Sequence, residues 1–387
     1  MSSQTKILSL PSSKVKKNIS KDSKVIPSSN IQNLYALYTT EFSNLNSSNL
    51  KYYLESSRKG LNFWKALLFE YIRRIDLRIA AVCQTRKLSV LGNSFTVEGG
   101  EAEIKCFTEK LIAGISNIEN FFTDIVESSI QGLSIFEINY SFCDGKIFID
   151  ELRRVQNHLV LYDDLTDEYS LLDSLKTSAL NLRIANGAYQ DRIDINTLPT
   201  LTIPEEKLLE VHSFDGDHPN GFLNGCIDSL IIAYFFKSYS VKDWHVFLEK
   251  FASPIIIGKY TSLNQHDKNS LSNAVQNLKH NASVVIPAEA DIIFRGDENK
   301  GETSNLFDNN IEFWNNEITI RVLGQNLTTS LGSQGSYAAA QVHNAVRADI
   351  IQSDLSLIEN TMNSLIKKTI DLNFSDVKSY PKFLFNK

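Results

Sequence analysis

The chain has 387 residues, 42% hydrophobic and 22% charged, with a formal net charge of −6. This is ordinary globular composition, with length for two or three domains and a sizeable core. It excludes a membrane-spanning helix, because the longest apolar run, 227–236, is only about ten residues and contains Asp228; the acidic balance also argues against tight, static nucleic-acid binding, which uses Lys and Arg to displace counterions.

No apolar leader opens the chain, so the sequence predicts a soluble, unexported protein. Cys83, Cys106, Cys143 and Cys226 are scattered without CxxC spacing and are expected to be buried free thiols, with no metal site. Residues 1–30 are rich in Ser, Lys and Pro. Lys6, Lys14, Lys16, Lys17, Lys21 and Lys24 stand against Asp22, a net of +5. Such a segment cannot bury a core and reads as a disordered basic arm, either a solvated tail or one that docks on an acidic neighbour.

Helical patterning begins at residue 31. Over 61–91, Phe63, Leu67, Tyr71, Ile75, Ile79 and Val82 recur at helical spacing, which predicts one long helix. Arg73, Arg74, Arg78 and Arg86 occupy its other positions and are expected on a solvated or intersubunit face. Short strands around 95–97 lead to two helices, 102–115 and 118–130, the second closed by Gly132. Alternation over 135–140, the turn pair Asp144-Gly145 and a return over 146–152 predict a hairpin. Glu137 on that hairpin is expected at the surface. Further short strands over 159–201, with Asn186-Gly187 as one turn, complete a compact α+β domain at 31–215.

The stretch His212-Ser213-Phe214-Asp215-Gly216-Asp217-His218 is a polar hinge. Asp215, Asp217 and His218 are metal-ligand types, but they crowd together with no further cluster to complete a site. A helix over 223–251 follows, with an aromatic series at Tyr234, Phe235, Phe236, Tyr239, Trp244, Phe247 and Phe251. Such a stripe is packing, within or between subunits. Pro254 stops the helix, and an insert follows with strands at 255–260, 282–287 and 290–294 and a short helix at 267–279. A second long helix is expected over 305–323, ending at Gly324.

Then comes an uncharged loop, 325–336, of Gln, Asn, Thr, Ser and Gly, and a helix over 336–371. At roughly 36 residues that helix would span about 54 Å. Searches for GxxxxGK[ST], GxGxxG, GxSxG and HExxH find nothing, so no catalytic residue, cofactor or metal is assigned. Asn326-Leu327-Thr328 fits a glycosylation sequon without a secretory route. His343, Arg347 and Asp349 share one helix and read as surface or intersubunit charges; a hydrolase using His343 and Asp349 is the competing enzymatic reading.

From Asp243-Trp244 the chain resembles a known family. The residues that carry this are Phe251-Ala252-Ser253-Pro254, Gly258-Lys259-Tyr260, Val285-Ile286-Pro287, Leu323-Gly324-Gln325-Asn326-Leu327-Thr328-Thr329 and Gly335-Ser336-Tyr337-Ala338. Ala340-Gln341-Val342-His343 and Val346-Arg347-Ala348-Asp349-Ile350 continue it. Their order and spacing resemble the portal proteins of tailed bacteriophages, in the Mu-like branch. The likeness extends in element order over 50–370 and is specific over 240–355.

The resemblance implies an α+β portal-like subunit in a ring, commonly of about twelve copies, at one capsid vertex. It implies a wing at 31–215, a stem helix at 216–253, a β-α-β clip insert at 254–296 and a second stem helix at 297–324. A tunnel loop would then occupy 325–336, and a long wing helix with a short C-terminal tail 337–387. Gln325, Asn326, Thr328, Thr329, Ser330, Ser333 and Gln334 would face double-stranded DNA in transit. Ile256, Lys259 and Tyr260 would meet a head-tail adaptor. The terminase large subunit and the major capsid protein are the other implied partners, with no membrane and no cofactor. Localisation would be the virion, and the host cytoplasm during assembly. The alternative is a portal-like structural protein of a gene transfer agent or domesticated phage-like particle. The few residues after Phe374 leave little for a helical crown.

Overall fold

The computed structural model describes residues 42–173, 200–201, 204–251, 256–260, 268–269, 271–273, 283–287, 300–326 and 337–386. The N-terminal arm, the Asn186-Gly187 turn, the 290–294 strand and residues 327–336 of the polar loop lie outside the described residues.

Asn46 opens α1 (Ser47–Arg58) by accepting the amides of Ser48 and Asn49, each at 3.0 Å, the usual work of an N-cap side chain. Where the sequence predicts one helix over 61–91 there are two, α2 (Phe63–Ile75) and α3 (Leu77–Leu88). Asp76 divides them. Its backbone is extended, and its carboxylate accepts the amides of Arg78 and Ile79. A short polar side chain inside a helical pattern offers the backbone this alternative partner. Trp64 of α2 is fully buried and stacks on Tyr53 of α1, centroids 5.5 Å apart.

Strand β1 (Phe95–Glu98) and helices α4 (Ala102–Ala113) and α5 (Ile118–Gln131) follow. Gly132 ends α5 with φ of 90°, and a Cβ there would lie 2.1 Å from the Gly221 carbonyl oxygen. Only glycine meets both demands. The expected hairpin forms from β2 (Leu133–Cys143) and β3 (Lys146–Arg154), turning at Asp144 and Gly145, both at positive φ. Strand β7 (Leu208–His212) pairs on the other side of β2. A second small sheet joins β4 (Val160–Asp163), β5 (Glu168–Leu172) and β6 (Thr200–Leu201).

Glu137 corrects the surface expectation. It is fully buried, opposite Arg153 on β3 and Leu208 on β7. The first six residues of β2 are all buried, because a central strand covered on both faces loses the alternation that marks exposure. The cysteine expectation holds for Cys83 and Cys226 only; Cys106 and Cys143 are exposed free thiols, on the outer side of α4 and at the hairpin tip.

Helix α8 (Tyr337–Asp371) and strand β10 (Lys382–Phe385) complete this region. Leu357, Ile358, Met362 and Leu365 of α8 share one core with Phe121 and Ile125 of α5 and with Phe136 and Ile138 of β2. The sequence did not predict β10, which pairs antiparallel with β1 from Phe95↔Phe385 to Glu98↔Lys382.

The chain divides into two compact units, Met1–Ile231 with Ile318–Lys387, and Ile232–Glu317. The divisions fall inside α6 (Ile227–Phe251) and α7 (Lys300–Leu323); α7 begins at Lys300 rather than at 305. In the second unit Phe236 stacks on Trp314 at 5.6 Å and 10°, and Phe247 lies 5.8 Å from Phe307. Strands β8 (Ile256–Tyr260) and β9 (Ser283–Pro287) pair in parallel. A parallel pair needs a crossover, and residues 268–269 and 271–273 within it are helical. This is the β-α-β insert.

Candidate functional site

The polar loop begins where α7 stops. Gly324, at φ of 73°, donates its amide to the Ile320 carbonyl at 2.8 Å. A Cβ on it would approach Ile350 Cδ1 of α8 to 2.6 Å, so the loop leaves α7 pressed against α8. Gln325 is 2% exposed and Asn326 half-buried. Of the residues expected to face DNA, Gln325 is thus enclosed at the base of the stretch and Asn326 partly so. Thr328, Thr329, Ser330, Ser333 and Gln334 lie outside the described residues. Lys259 is exposed on β8, between Ile256 and Tyr260, in register with Ile286. The loop base belongs to the first unit and the insert to the second.

Charged side chains that the sequence placed on a solvated or intersubunit face instead hold the loop base. Arg86 of α3 grips Asp354 of α8 with two bonds of 2.9 Å, and its Nη1 donates to the Val322 carbonyl at 3.3 Å. Ser129 of α5 donates to the same carboxylate at 2.9 Å. One guanidinium thus ties the end of α7 to the helix that follows the loop. Burial works to lower the Arg86 pKa, but hydrogen bonding and attraction from Asp354 prevail and hold it above the ordinary value.

Arg321, on the last turn of α7, donates to Asp215 Oδ2 at 2.5 Å and to the Gly225 carbonyl at 2.9 Å. Asp215 is therefore an ion-pair partner in the hinge, and His218 Nδ1 accepts the Asn220 amide at 3.0 Å. Among the described residues no three His, Cys, Asp or Glu side chains converge as metal ligands, and no helix is long and apolar enough to cross a membrane. Arg347 is half-buried and Asp349 exposed on α8; the His343 side chain lies outside the described residues.

Behind this base lies a second buried cluster. Glu127 of α5 accepts from Arg73 at 2.6 Å, from Gln131 at 2.6 Å and pairs with Lys87 at 3.0 Å. Burial would raise its pKa, but Arg73, Arg154 and Lys87 reverse this and bring it down to about 2. The carboxylate stays ionised in a dry place because cations surround it. Sequence reasoning missed these pairs since the partners are 54 residues apart for Arg73 and 268 for Arg86. The available signal was several arginines on two short helices that also carry apolar residues at core spacing.

These features define a chain built on a locked α+β body and a parallel β8–β9 pair carried between two long helices, with a polar stretch that begins at a fixed base. The chain belongs to the family described as the portal protein of Mu bacteriophage, whose sequence profile matches residues 66–387. It is 30% identical over 174 residues to the Mu-like prophage FluMu protein gp29 of Haemophilus influenzae, covering 43% of this chain and 33% of that protein. It is 31% identical over 168 residues to the portal protein of Escherichia phage Mu, covering 42% of this chain and 32% of that protein. The matched stretch thus spans about a third of the length of each relative. Among solved structures, the neck of an empty GTA particle computed with C6 symmetry aligns with a TM-score of 0.48 and 10% identity, over 86% of this chain and 84% of that one.

Proposed function

We propose that this protein is the subunit of a ring-shaped portal, a structural and non-enzymatic channel for double-stranded DNA at a phage or prophage capsid vertex. Family membership supports the class. The observation that carries the ring is a pair of exposed apolar stripes. On α6, Ile232, Phe236, Tyr239 and Val246 recur at steps of four, three and seven, and all are exposed. On α7, Leu306, Phe313 and Ile320 recur every seven residues, Leu306 at 68% and Phe313 at 53% exposure. Large apolar side chains at such spacing on long helices are the pattern of a helix–helix seam. A ring repeats one heterologous contact around a closed rotation, and these stripes supply surfaces for it.

The loop reading rests on composition and on the fixed base. Asn326, Thr328, Thr329, Ser330, Ser333 and Gln334 can exchange weak hydrogen bonds with a phosphate backbone at any register. Without charge there is little counterion release, so contact does not become a brake. The Arg86–Asp354 lock gives the loop a rigid root. In the same reading the insert with Ile256, Lys259 and Tyr260 docks a head-tail adaptor, and the assembly engages the terminase large subunit and the major capsid protein. Electron microscopy of the purified protein tests the ring directly: closed rings with a central hole are expected, and a strict monomer under assembly conditions overturns the reading. Deleting 328–335 is expected to leave rings intact while impairing packaging or retention of DNA.

A further inference from the structure

The β1–β10 ribbon has one sealed edge and one open edge. On the β10 side, α8 closes the edge with side chains. Asn363 accepts the Phe383 amide at 2.8 Å and donates to the Phe383 carbonyl at 3.1 Å, and Glu359 accepts the Phe385 amide at 2.8 Å. These bonds fix the parity of the ladder. Phe383 and Phe385 point their backbone groups away from β1, so Thr96 and Glu98 are the residues of β1 that bond β10. The Asn386 amide on the Ser94 carbonyl, at 2.8 Å, has the same parity.

It follows that Phe95 and Val97 aim their amides and carbonyls outward, on the edge away from β10. No partner meets them among the described residues. A cavity of about 670 Å³ runs along this edge, between β1 and α4, with Phe95, Val97, Ile112, Ala113 and Ile118 among its lining. Glu98 and Glu109 add two negative charges to the lining against Lys105. An unpaired strand edge beside an apolar trough of net negative charge is the geometry of strand addition by an extended, basic peptide.

We infer that the occupant is the N-terminal arm of a neighbouring copy, with Lys6-Ile7-Leu8-Ser9-Leu10 added as a third strand beside β1. Three observations select it. The segment is the apolar stretch nearest the chain start, and in a strand Leu8 and Leu10 fall on one face. The arm as a whole carries +5, from six lysines against Asp22, opposite in sign to the groove. The described body begins at Phe42, and the chain from Leu10 to Phe42 can extend about 100 Å, enough to cross to another subunit. Donor and acceptor on one chain make a heterologous contact, the kind that closes a ring. The inference therefore rests on the ring reading.

Hydrogen exchange on the full-length chain tests it. In assembled protein the Phe95 and Val97 amides are expected to exchange at least about tenfold more slowly than in a full-length Leu8→Asp, Leu10→Asp variant. The Val97→Pro variant removes an outward N–H that β10 does not use, so it blocks addition while leaving the β1–β10 ladder intact. Mixing that chain, as arm donor, with the Leu8→Asp, Leu10→Asp chain, as open acceptor, should restore protection of Phe95 and Val97 in the latter. Protection in the unmixed wild type without rescue on mixing would assign the edge to a chain's own arm and overturn the inter-copy contact. Equal exchange in wild type and variant, or protection that ignores the arm substitutions, overturns the inference altogether. Micrographs of the same samples keep the two readings apart: rings with unprotected edge amides defeat this inference alone, whereas wild-type protein that never forms rings defeats the portal reading. A synthetic peptide of residues 1–12 added to the Leu8→Asp, Leu10→Asp chain gives the groove a test independent of assembly.

Discussion

The two compact units differ in what gives each its character: buried ion pairs in the first, and apolar side chains exposed at regular helical spacing in the second. The first hides charge: Lys65 is enclosed with its Nζ on the Phe222 carbonyl and on Asp228, Arg73 meets Glu127, and Arg86 meets Asp354. Burial lowers the Lys65 pKa even with Asp228 at 2.9 Å. The second, among its described residues, exposes grease: Phe236, stacked on Trp314, is still 50% exposed, and Leu306 and Phe313 are more so. A buried ion pair gains little over an apolar pair, yet it is costly to break from one side, so it makes a body rigid and specific. An exposed apolar stripe gains nothing until a second surface covers it. The first unit's buried pairs close its core on itself, whereas the second unit's stripe is the kind of surface that the ring proposed above would cover.

That contrast breaks most sharply at Asp354. Asp354→Ala leaves Arg86 buried without its carboxylate, with the Val322 carbonyl as its remaining partner, and removes the acceptor of the Ser129 hydroxyl. A loss of about 3–5 kcal/mol is expected, read as a lower urea midpoint of the first unit followed through buried Trp64. Amide exchange in the second unit should be unchanged. A loss below about 1 kcal/mol would mean the pair is not the lock described here.

Acid should act next, through Glu127. Its pKa falls from 4.5 unfolded to about 2 folded, so the folded state holds the charged form and gains stability above pH 4.5. That gain, about 3 kcal/mol, is fully present at neutral pH and drains away as pH falls from 4.5 towards 2. Stability profiles should therefore show an acid limb that Glu127→Gln flattens. A limb identical in both proteins would place the acid sensitivity elsewhere.

Gly324→Ala tests the junction where the loop leaves the body. The positive φ and the approach to Ile350 Cδ1 both oppose a Cβ, although Ile350 can shift at its tip. About 1–2 kcal/mol is expected, with faster amide exchange at Gln325 and Asn326 and little change near Trp64.

Legibility in the sequence followed interaction range. The hairpin at Asp144-Gly145, the close of α5 at Gly132, the strands β8 and β9 and the long helices α7 and α8 all rest on local pattern, and all form. Local pattern failed where a distant residue decided the outcome. Glu137 looked solvent-facing because local pattern carries no record of what covers the second face of β2, where Leu133 and Ile135 join a core separate from that of Phe136 and Ile138. Arg86 looked like a surface arginine because Asp354 lies 268 positions away. Strand β10 was invisible because a four-residue strand needs β1 to exist at all. Gln325 shows the same limit inside the loop: composition marks the residue as polar, while the packing of α7 on α8 decides that it is buried.

The smallest effect on folding should accompany the clearest effect on assembly. Leu306→Glu with Phe313→Glu places two charges on the exposed stripe of α7, where neither side chain is enclosed in the monomer. Surface substitutions of this kind change stability by only about 0.5 kcal/mol each, so thermal and urea midpoints should barely move. A carboxylate buried in a helix–helix seam between copies has no partner there and costs several kcal/mol per contact, repeated at every interface of a ring. Rings should therefore disappear from micrographs and the protein should run as a folded monomer in light scattering. If rings persist, the stripe does not lie between subunits, and the second unit must hide its apolar surface in some other way. Pairing this variant with Asp354→Ala separates the two designs fully: one change should unfold a body without touching the seam, the other should open the seam without touching the body.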